Sequence, residues 1–387
     1  MKAKIAMILT VASLVIVMSG CRFIPVFDSD IENGDDEIST SKGLEQEILD
    51  ENISIEKPES NKQNGDRVTS AGEAFNSVTE VYYAVADSVV EISTEIVQTS
   101  LFGPYIESGA GSGVIIEKSG VIVTNYHVIE GANSVTVRLT DGSEYSAALV
   151  GSYPEGDIAV IKIDAGDKEL TVAPLGCSAD LEVGEDVVVL GNPLGSLGGT
   201  LTTGIISAKD RIINVDGIDM VLLQTNAAVN PGNSGGGMFN MAGELVGIVN
   251  AKISEAGIEG LGFAIPIDVA YRIIEDIISY GYVRGVVDSG LTVIEVTKQN
   301  LPFAYANYGI SSIGVIVIES RYSDELKLGD KITSIEGRQI KTAEDISLFL
   351  KTCSVGDVIT VTVERNGDKL NVELTLREKQ PDSVDFN

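Results

Sequence analysis

The stretch NPGNSGGG, residues 230–237, surrounds a single serine, Ser234, with four glycines and one proline. Such a run is unsuited to the interior of a helix or a strand, because glycine loses more conformational entropy on folding than other residues and proline lacks a backbone N–H donor. It predicts a shaped turn that gives close access to Ser234. A serine hydroxyl is a weak nucleophile at neutral pH, so a reactive Ser234 requires an adjacent base.

The chain contains one histidine, His127, which follows the apolar segment 120–126. A carboxylate is needed to orient the imidazole, and Asp157 precedes an apolar run where a core role is hard to assign. Gly232–Gly236 also fits the G-x-S-x-G elbow of α/β-hydrolases, but those enzymes need a histidine after the serine and none follows here. The order His127, Asp157, Ser234 is that of chymotrypsin-like enzymes.

The glycines of this stretch also predict a site for negative charge. Acyl transfer needs backbone N–H groups directed at the developing oxyanion. Gly232 allows the chain before Ser234 to turn its amide inward. We therefore expect the N–H groups of Gly232 and Ser234, with Asn233 between them, to form an oxyanion hole.

The chain from about Ala84 predicts a mainly β protein. Short β-type runs alternate with turn signals such as Lys118–Gly120 and Asp141–Gly142. Many short strands at this spacing indicate a barrel or a sandwich. The runs are Val114–Ile116, Val121–Val123, Val135–Leu139, Ile158–Ile163, Val187–Leu190, Leu201–Ile206, Val221–Leu223, Glu244–Val249 and Gly262–Ile265.

A helix and a second module follow the predicted strands. Apolar residues at helical spacing predict a bridging helix with Asp268 as its N-cap and Gly281 as its stop. Residues 284–377 then predict a small α+β module, in which Thr342 and Asp345 open a helix as a capping box and Asn366–Gly367 forms a hairpin.

Charge and cysteine content exclude several functions. The net charge of −30 leaves no basic surplus for nucleic acid. Residues 21–76 are acidic and polar and predict a disordered linker.

Cys177 and Cys353 are expected to be small core residues, with no disulfide framework or metal site.

The amino terminus predicts export. Lys2 and Lys4 precede an apolar run, Ile5–Met18, that is shorter than the about 20 residues of a membrane span, and residues 1–20 fit a signal peptide. Ser19-Gly20-Cys21 resembles a lipobox and predicts lipidation of Cys21, although Met18 stands where lipoproteins usually have leucine. A plain signal peptide and an uncleaved anchor remain alternatives.

Several motifs together resemble the HtrA (Deg) serine proteases. In that family's order the chain contains TNYHV around His127, GDIAV around Asp157, GNP at 191–193, TGIIS at 203–207, QTNAAVNPGNSGG at 224–236 and GFAIP at 262–266. The resemblance implies a trypsin-like double β-barrel over residues 77–282, with the bridging helix at its end, a PDZ domain over 283–377 and a tail over 378–387. It implies an ATP-independent endopeptidase of the bacterial cell envelope that degrades misfolded proteins, without metal or organic cofactor, as a homotrimer or larger assembly.

Two positions depart from the family pattern. Gly237 and Met238 stand where the family usually has proline, and Asn226 stands where it usually has aspartate. Neither position belongs to the predicted triad, but both lie in loops that shape the site.

The resemblance also places substrate contacts. In chymotrypsin-like folds the floor of the pocket for the substrate side chain lies six residues before the nucleophile, which is Ala228 here. The pocket is therefore expected to lack a carboxylate that could pair with a lysine or arginine of the substrate. Leu261, Gly262, Phe263 and Ala264 are expected to bind substrate backbone by β-addition. We therefore expect the enzyme to cleave substrates after small or medium aliphatic residues. In the PDZ domain, Gly290 and Leu291 are expected to bind the terminal carboxylate of a peptide, with a degenerate, non-binding PDZ domain as the alternative.

Two other functions remain open at the level of sequence. One is an inactive HtrA-like chaperone or binding protein, against which the intact triad argues. The other is a regulatory protease that cuts one specific membrane partner when a peptide binds the PDZ domain. Hydrolysis of unfolded protein separates the first from an enzyme, and comparison of casein with a folded membrane protein separates the second from broad quality control.

Overall fold

The computed structural model describes residues 55, 62–63, 66–67, 74–100, 103–192, 199–215, 218–254 and 261–380. The predicted signal peptide, the predicted lipidation site Cys21 and most of the predicted linker 21–76 lie outside these residues. Strands β1 (Lys62–Gln63) and β2 (Asp66–Arg67) pair antiparallel. Helix α1 (Val78–Val85) begins after Ser77, whose hydroxyl accepts the N–H of Glu80.

The first half of the folded chain is a closed six-stranded barrel with neighbours in the order β3-β4-β5-β8-β7-β6. The hairpins predicted at Lys118–Gly120 and Asp141–Gly142 are confirmed as the β4–β5 and β6–β7 connections. The elements are β3 (Val89–Ser100), β4 (Gly103–Ile115), β5 (Val121–Thr124), α2 (Tyr126–Ile129), β6 (Ser134–Arg138), β7 (Glu144–Tyr153) and β8 (Ile158–Ile163). Its interior is filled by branched aliphatic side chains such as Ile92, Ile122 and Ile161.

The second half forms another closed six-stranded barrel, in the order β10-β11-β14-β13-β12-β9. Val189, Leu223 and Met238 lie in its own core. Its elements are β9 (Asp186–Gly191), β10 (Thr200–Val215), β11 (Ile218–Thr225), β12 (Gly237–Asn240), β13 (Leu245–Val249), α3 (Ala251–Ser254), β14 (Gly262–Pro266) and α4 (Ile267–Tyr280).

A further hydrophobic cluster joins the two barrels. It includes Val114 and Val160 from the first barrel and Leu190 and Phe239 from the second, all nearly inaccessible to solvent. Because burial of apolar surface drives association of such faces, this cluster brings the edges of the barrels together. The candidate active site lies at that junction.

Helix α4 covers the joined barrels with a face that includes Ile274 and Ile277. Gly281 ends it in the left-handed conformation, with its N–H bonded to the Ile277 carbonyl at 2.7 Å, as predicted. The predicted N-cap is wrong, because the helix begins at Ile267 after Pro266. The Asp268 carboxylate instead accepts hydrogen bonds from the hydroxyl of Ser178 and the N–H of Ala179.

The remaining residues form a separate compact unit that begins at Arg284. Its sheet has the strand order β16-β17-β18-β20-β21, with β19 beside β18 and a small β15–β22 ladder. The elements are β15 (Val287–Asp288), β16 (Leu291–Val296), α5 (Leu301–Tyr308), β17 (Gly314–Ser320), β18 (Lys331–Ile335), β19 (Arg338–Gln339), α6 (Ala343–Leu350), β20 (Val358–Arg365), β21 (Asp368–Thr375) and β22 (Arg377–Glu378).

Two local predictions for this unit are confirmed. Thr342 and Asp345 form a reciprocal capping box at the start of α6. Asn366 and Gly367 both have positive φ and join β20 to β21. The mainly β fold, a double barrel followed by a small α+β module, is therefore as the sequence predicts.

The two cysteines are less buried than predicted. Cys177 and Cys353 are free thiols at half-buried positions rather than full core residues. Burial is still sufficient to raise the pKa of both thiols. Among the described residues, none of the helices reaches the length and apolar content that crossing a bilayer requires.

Candidate active site

The structure brings His127, Asp157 and Ser234 together from three separate elements. His127 lies in α2, directly after β5. Asp157 ends a 3₁₀ turn before β8 and has positive φ. Ser234 lies in the loop between β11 and β12, so the second barrel supplies the hydroxyl and the first supplies the imidazole and the carboxylate.

A chain of hydrogen bonds connects the three side chains. Oδ2 of Asp157 lies 2.7 Å from Nδ1 of His127, and Nε2 of His127 lies 2.9 Å from Oγ of Ser234. A second bond joins Oδ1 of Asp157 to the backbone N–H of His127 at 2.9 Å. An ionised carboxylate only accepts, so the Nδ1 atom carries the proton and Nε2 is left to accept from the serine.

The turn at Ser234 contains two backbone donors that have no acceptor among the described residues. Gly232 has a φ of 96°, which other residues rarely adopt. The Asn233 N–H donates to the Asn230 carbonyl at 3.0 Å, whereas within the described residues the N–H groups of Gly232 and Ser234 have no intramolecular acceptor. Of the three residues predicted to form the oxyanion hole, Gly232 and Ser234 thus have N–H groups available to a substrate, whereas the N–H of Asn233 is already bonded to Asn230.

Comparisons with known proteins agree with this geometry. The profile described as "Trypsin-like peptidase domain" matches residues 111–248, and that described as "PDZ domain" matches residues 281–376. The Serine protease Do-like HtrA of Bacillus subtilis is 36% identical over 329 residues, which cover 76% of this chain and 73% of that protein. The chain belongs to the HtrA (Do-like) family of serine proteases.

Other members of the HtrA family match similarly. The periplasmic serine endoprotease DegP of Escherichia coli is 37% identical over 283 residues, 71% of this chain and 58% of that protein. Among solved structures, the HtrA-type protease AlgW with decapeptide is 32% identical, with a TM-score of 0.51 over 79% of this chain and 100% of that one. The chain is accordingly an enzyme, a serine endoprotease of the HtrA/DegP type.

Three residues that the sequence analysis missed contact the triad. Nδ2 of Asn250 lies 2.7 Å from Oδ2 of Asp157, and Nδ2 of Asn125 lies 3.0 Å from the Asp157 carbonyl oxygen. The N–H of Ala251 donates to Oγ of Ser234 at 3.0 Å. Asn125 directly precedes Tyr126 and His127, and this proximity to the histidine was the only sequence feature that could have indicated a contact with the triad.

The two departures from the HtrA pattern are accommodated locally. Oδ1 of Asn226 accepts the N–H of Ile205 at 2.7 Å, a bond that an aspartate oxygen could make equally well. At Gly237 an added Cβ would lie 2.4 Å from the Phe239 ring, so the site is built for glycine. Both residues support the loops around Ser234 without touching the triad.

The predicted substrate strand is placed differently from expectation. Gly262 and Ala264 pair with Thr225 and Leu223 of β11, and Ala264 also pairs with Val249 of β13. The Phe263 carbonyl accepts the N–H of Asn250. The structure therefore contradicts β-addition at Phe263 and Ala264, because both edges of the strand are engaged there. Gly262 pairs with β11, Leu261 precedes the strand and is half-buried, and the roles of these two residues stay predictions.

The predicted pocket floor is open in this structure. Ala228 is exposed, while its carbonyl accepts the hydroxyl of Thr202 at 2.8 Å. An added Cβ at Gly262 would lie 2.8 Å from Val229 and 2.9 Å from the Ala227 carbonyl oxygen, so these segments are neighbours. Small, apolar groups surround the place that the sequence assigned to the pocket.

The predicted carboxylate loop of the PDZ domain is engaged by its own side chains. The N–H of Gly290 donates to Oδ1 of Asp288 at 2.8 Å, and the N–H of Leu291 contacts Oγ of Ser289 at 3.3 Å. Asp288 also accepts from Arg321 and Tyr322. A peptide carboxylate would therefore have to displace these bonds, and the roles of Gly290 and Leu291 stay predictions. Within the described residues no cluster of histidine, cysteine or carboxylate side chains could hold a metal ion.

Proposed function

We propose that His127, Asp157 and Ser234 are the catalytic triad of an endopeptidase that degrades unfolded proteins outside the cytoplasm. The observation that carries this proposal is the continuous Asp157–His127–Ser234 chain of hydrogen bonds, together with the N–H groups of Gly232 and Ser234, which have no acceptor among the described residues. Family membership makes the chain a serine endoprotease; the residue roles, the substrates and the location are the proposed part.

The geometry supports a two-step acyl transfer. Oγ of Ser234 attacks the carbonyl carbon of the substrate peptide while its proton passes to Nε2 of His127. The carbonyl oxygen becomes an oxyanion that accepts from the N–H groups of Gly232 and Ser234. His127 then gives the proton to the leaving amine. Water attacks the acyl-enzyme by the same route, its proton passing through His127 back to Oγ.

The proposed substrate preference is for small or medium aliphatic residues before the cut. Ala228 offers no charge for lysine or arginine, and the neighbouring Ala227, Val229 and Gly262 are small and apolar. A peptide library with all residues at that position tests the preference. Dominant cleavage after lysine or arginine would contradict it.

A second proposal concerns the PDZ domain as a receptor for carboxyl-terminal peptides. Strand β16 lies at the edge of its sheet, so one side of Leu291–Val296 can accept a peptide strand by β-addition. Gly290 and Leu291, at the start of that strand, would receive the carboxylate in place of Asp288 and Ser289. Fluorescence anisotropy should show tighter binding of a hydrophobic peptide with a free carboxylate than of its amide.

The proposed location is the bacterial cell envelope, outside the cytoplasm and attached to the membrane. Two observations support this location: some relatives are named as periplasmic proteases, and residues 1–20 have the pattern of a signal peptide. Mass spectrometry of the protein isolated from membranes, with and without Cys21→Ala, tests lipidation. Light scattering tests the proposed trimer or larger assembly.

The central experiment follows hydrolysis of unfolded casein by the full-length chain, with Ser234→Ala as the comparison. We expect cleavage that disappears in the variant, because no other described group touches His127 Nε2 as a nucleophile. Sequencing of the products then reads the preference directly. A folded wild type that leaves casein intact, even with hydrophobic carboxyl-terminal peptides added, would favour a binding protein instead.

A further inference from the structure

Ser112 links the first barrel to the turn that holds the nucleophile. It lies on β4, and its side chain is completely buried. Its N–H donates to the carbonyl of Ser234 at 2.8 Å, and its Oγ lies 2.6 Å from the carbonyl oxygen of Gly232. Ser112 therefore contacts the same two residues whose N–H groups have no acceptor within the described chain.

The direction of the hydroxyl bond is fixed by its neighbours. The N–H of Asn192 donates to Oγ of Ser112 at 2.8 Å. An N–H can only donate and a carbonyl can only accept, so the hydroxyl accepts from Asn192 and donates to Gly232. The bond from Asn192 is buried and the bond to Gly232 is partly buried, and an unmade hydrogen bond is costly in such surroundings.

These bonds fix the peptide planes next to the predicted oxyanion donors. A peptide unit is planar, so holding the Gly232 carbonyl orients the N–H of Asn233, and holding the Ser234 carbonyl orients the N–H of Gly235. The Ser234 N–H belongs to the Asn233–Ser234 unit between these two planes, whose carbonyl accepts the N–H of Gly236 at 2.9 Å. The Gly232–Asn233 plane is held by Ser112 Oγ at one end and by the bond from Asn233 N–H to Asn230 at the other. The plane after Ser234 is held by Ser112 N–H and by the bond from Gly235 N–H to Val249.

The surroundings leave Ser112 little freedom to move. The hydroxyl of Thr124 donates to the Ser112 carbonyl at 2.7 Å. A Cβ on Gly235 would lie 2.1 Å from that same carbonyl oxygen, and one on Gly111 would lie 3.3 Å from the Ser234 carbonyl oxygen. Strand β4 and the nucleophile turn thus approach each other at backbone distance, with Ser112 as the polar link.

We propose that Ser112 is a positioning residue for the oxyanion hole. Its hydroxyl and N–H hold the peptide planes on either side of the Asn233–Ser234 unit, which keeps the Ser234 N–H directed at the substrate oxygen. The bond to the Gly232 carbonyl also restricts rotation at Gly232, whose N–H is the other donor. This inference rests on the proposed function, because it requires Ser234 to be the nucleophile. Ser112 does not touch the substrate, and it acts through the two donors.

The test compares Ser112→Ala with Ser88→Ala in the full-length chain. Ser88 is also fully buried, and its hydroxyl donates to one carbonyl at 2.6 Å, but it lies outside the site. Removing a direct oxyanion donor costs about a hundred- to a thousand-fold in kcat. For the indirect Ser112→Ala we expect a fall of about ten- to a hundred-fold in kcat, with KM changed by less than about three-fold. Ser88→Ala should keep wild-type kcat.

A second readout separates positioning from a general loss of structure. A tripeptide aldehyde, ending in the residue after which the wild type cuts casein, forms an adduct with serine whose oxygen occupies the oxyanion hole. The matching peptide alcohol forms no adduct. Ser112→Ala should weaken inhibition by the aldehyde in proportion to the loss in kcat/KM, while inhibition by the alcohol stays unchanged.

The remaining outcomes distinguish this inference from the proposed function. If Ser234→Ala remains active, the triad itself is wrong. If Ser234→Ala is inactive but Ser112→Ala matches Ser88→Ala in kcat and aldehyde inhibition, only the role of Ser112 is overturned. Should Ser112→Ala fail to fold, Ser112→Cys is the second variant, because its Sγ fills the γ position but is only a weak donor. Wild-type kcat and wild-type aldehyde inhibition in the folded cysteine variant would overturn the role. A selective loss of both would support it.

Discussion

Nδ2 of Asn250 lies 2.7 Å from Oδ2 of Asp157, and the N–H of the next residue, Ala251, donates to Oγ of Ser234 at 3.0 Å. Two consecutive residues that follow β13, the second of which begins α3, therefore reach both ends of the triad. Asn250 is buried, so its bond to the carboxylate is shielded from water. Hydrogen bonds to charged groups in such surroundings are stronger than those between neutral groups.

Replacing Asn250 with leucine should lower kcat/KM by about ten-fold, since a bond to a charged group contributes about 1.5 to 3 kcal/mol and only part of it is specific to the transition state. The reason is that, of the side-chain donors in the described part of the chain, Asp157 Oδ2 then keeps His127 alone. Steady-state hydrolysis of a peptide substrate measures the change. Asn250→Ser, which keeps a donor, should lose less, and equal rates for wild type and the leucine variant would contradict the assigned bond.

Asp157→Asn should lower kcat by about ten thousand-fold, the loss found when a triad aspartate becomes an amide. Nδ1 of His127 lies 2.7 Å from Oδ2, and an amide nitrogen at that place would donate to Nδ1. The proton would then sit on Nε2, which could no longer accept from Ser234. Single-turnover acylation measures the effect, and circular dichroism checks that the variant is folded. A loss below about ten-fold would show that Asp157 does not fix the tautomer of His127.

Gly235→Ala should abolish activity and lower the melting temperature, whereas Gly281→Ala should do little. Both glycines have similar positive φ values, 81° and 78°. A Cβ at Gly235 would lie 2.1 Å from the Ser112 carbonyl oxygen, while nothing lies within 4 Å at Gly281. Gly281→Ala thus isolates the cost of the backbone conformation, about 1 kcal/mol. Similar melting temperatures for the two variants would show that the close approach at Gly235 has no energetic weight.

Asp345→Ala should destabilise the PDZ domain by about 1 kcal/mol at neutral pH, as loss of a helix cap does. Donation from the backbone N–H groups of Lys341 and Thr342 lowers the pKa of the Asp345 carboxyl. A lowered folded-state pKa gives stability that is present above the unfolded pKa and is lost as pH falls through the folded value.

The difference in melting temperature between wild type and Asp345→Ala should therefore shrink as the pH falls below about 4, where the unfolded carboxyl titrates. Glu344→Ala is the matched control, because Glu344 lies in the same helical turn but is exposed. A gap that stays constant with pH would mean that the carboxylate does not act as a charged cap.

Much of this arrangement could be predicted from short sequence signals. Gly232 and its neighbours predict a turn because few other residues adopt its φ. Chain order fixes which triad is possible, and Asn366–Gly367 determines a hairpin locally. These signals work because each depends on the backbone preferences of adjacent residues rather than on distant partners.

Other features depend on partners far along the chain and were missed or misplaced. Asp268 resembles an N-cap, but Ser178, distant in sequence, supplies a better-placed donor. Residues 262–264 were expected to bind substrate backbone, yet β11 pairs with one edge of all three, and Val249 and Asn250 engage the other edge at Ala264 and Phe263. Ser112 stands in the small-residue run 109–113, which marks a close approach but does not identify the approaching loop.

The division of the triad between the two barrels has a consequence for the newly made chain. His127 and Asp157 are synthesised before Ser234, and each barrel must close before the hydrogen-bonded chain can form. A partly folded molecule therefore carries all three groups but has no working nucleophile. The proposed activity on unfolded polypeptides would therefore be absent from a chain of this protein whose barrels have not yet closed.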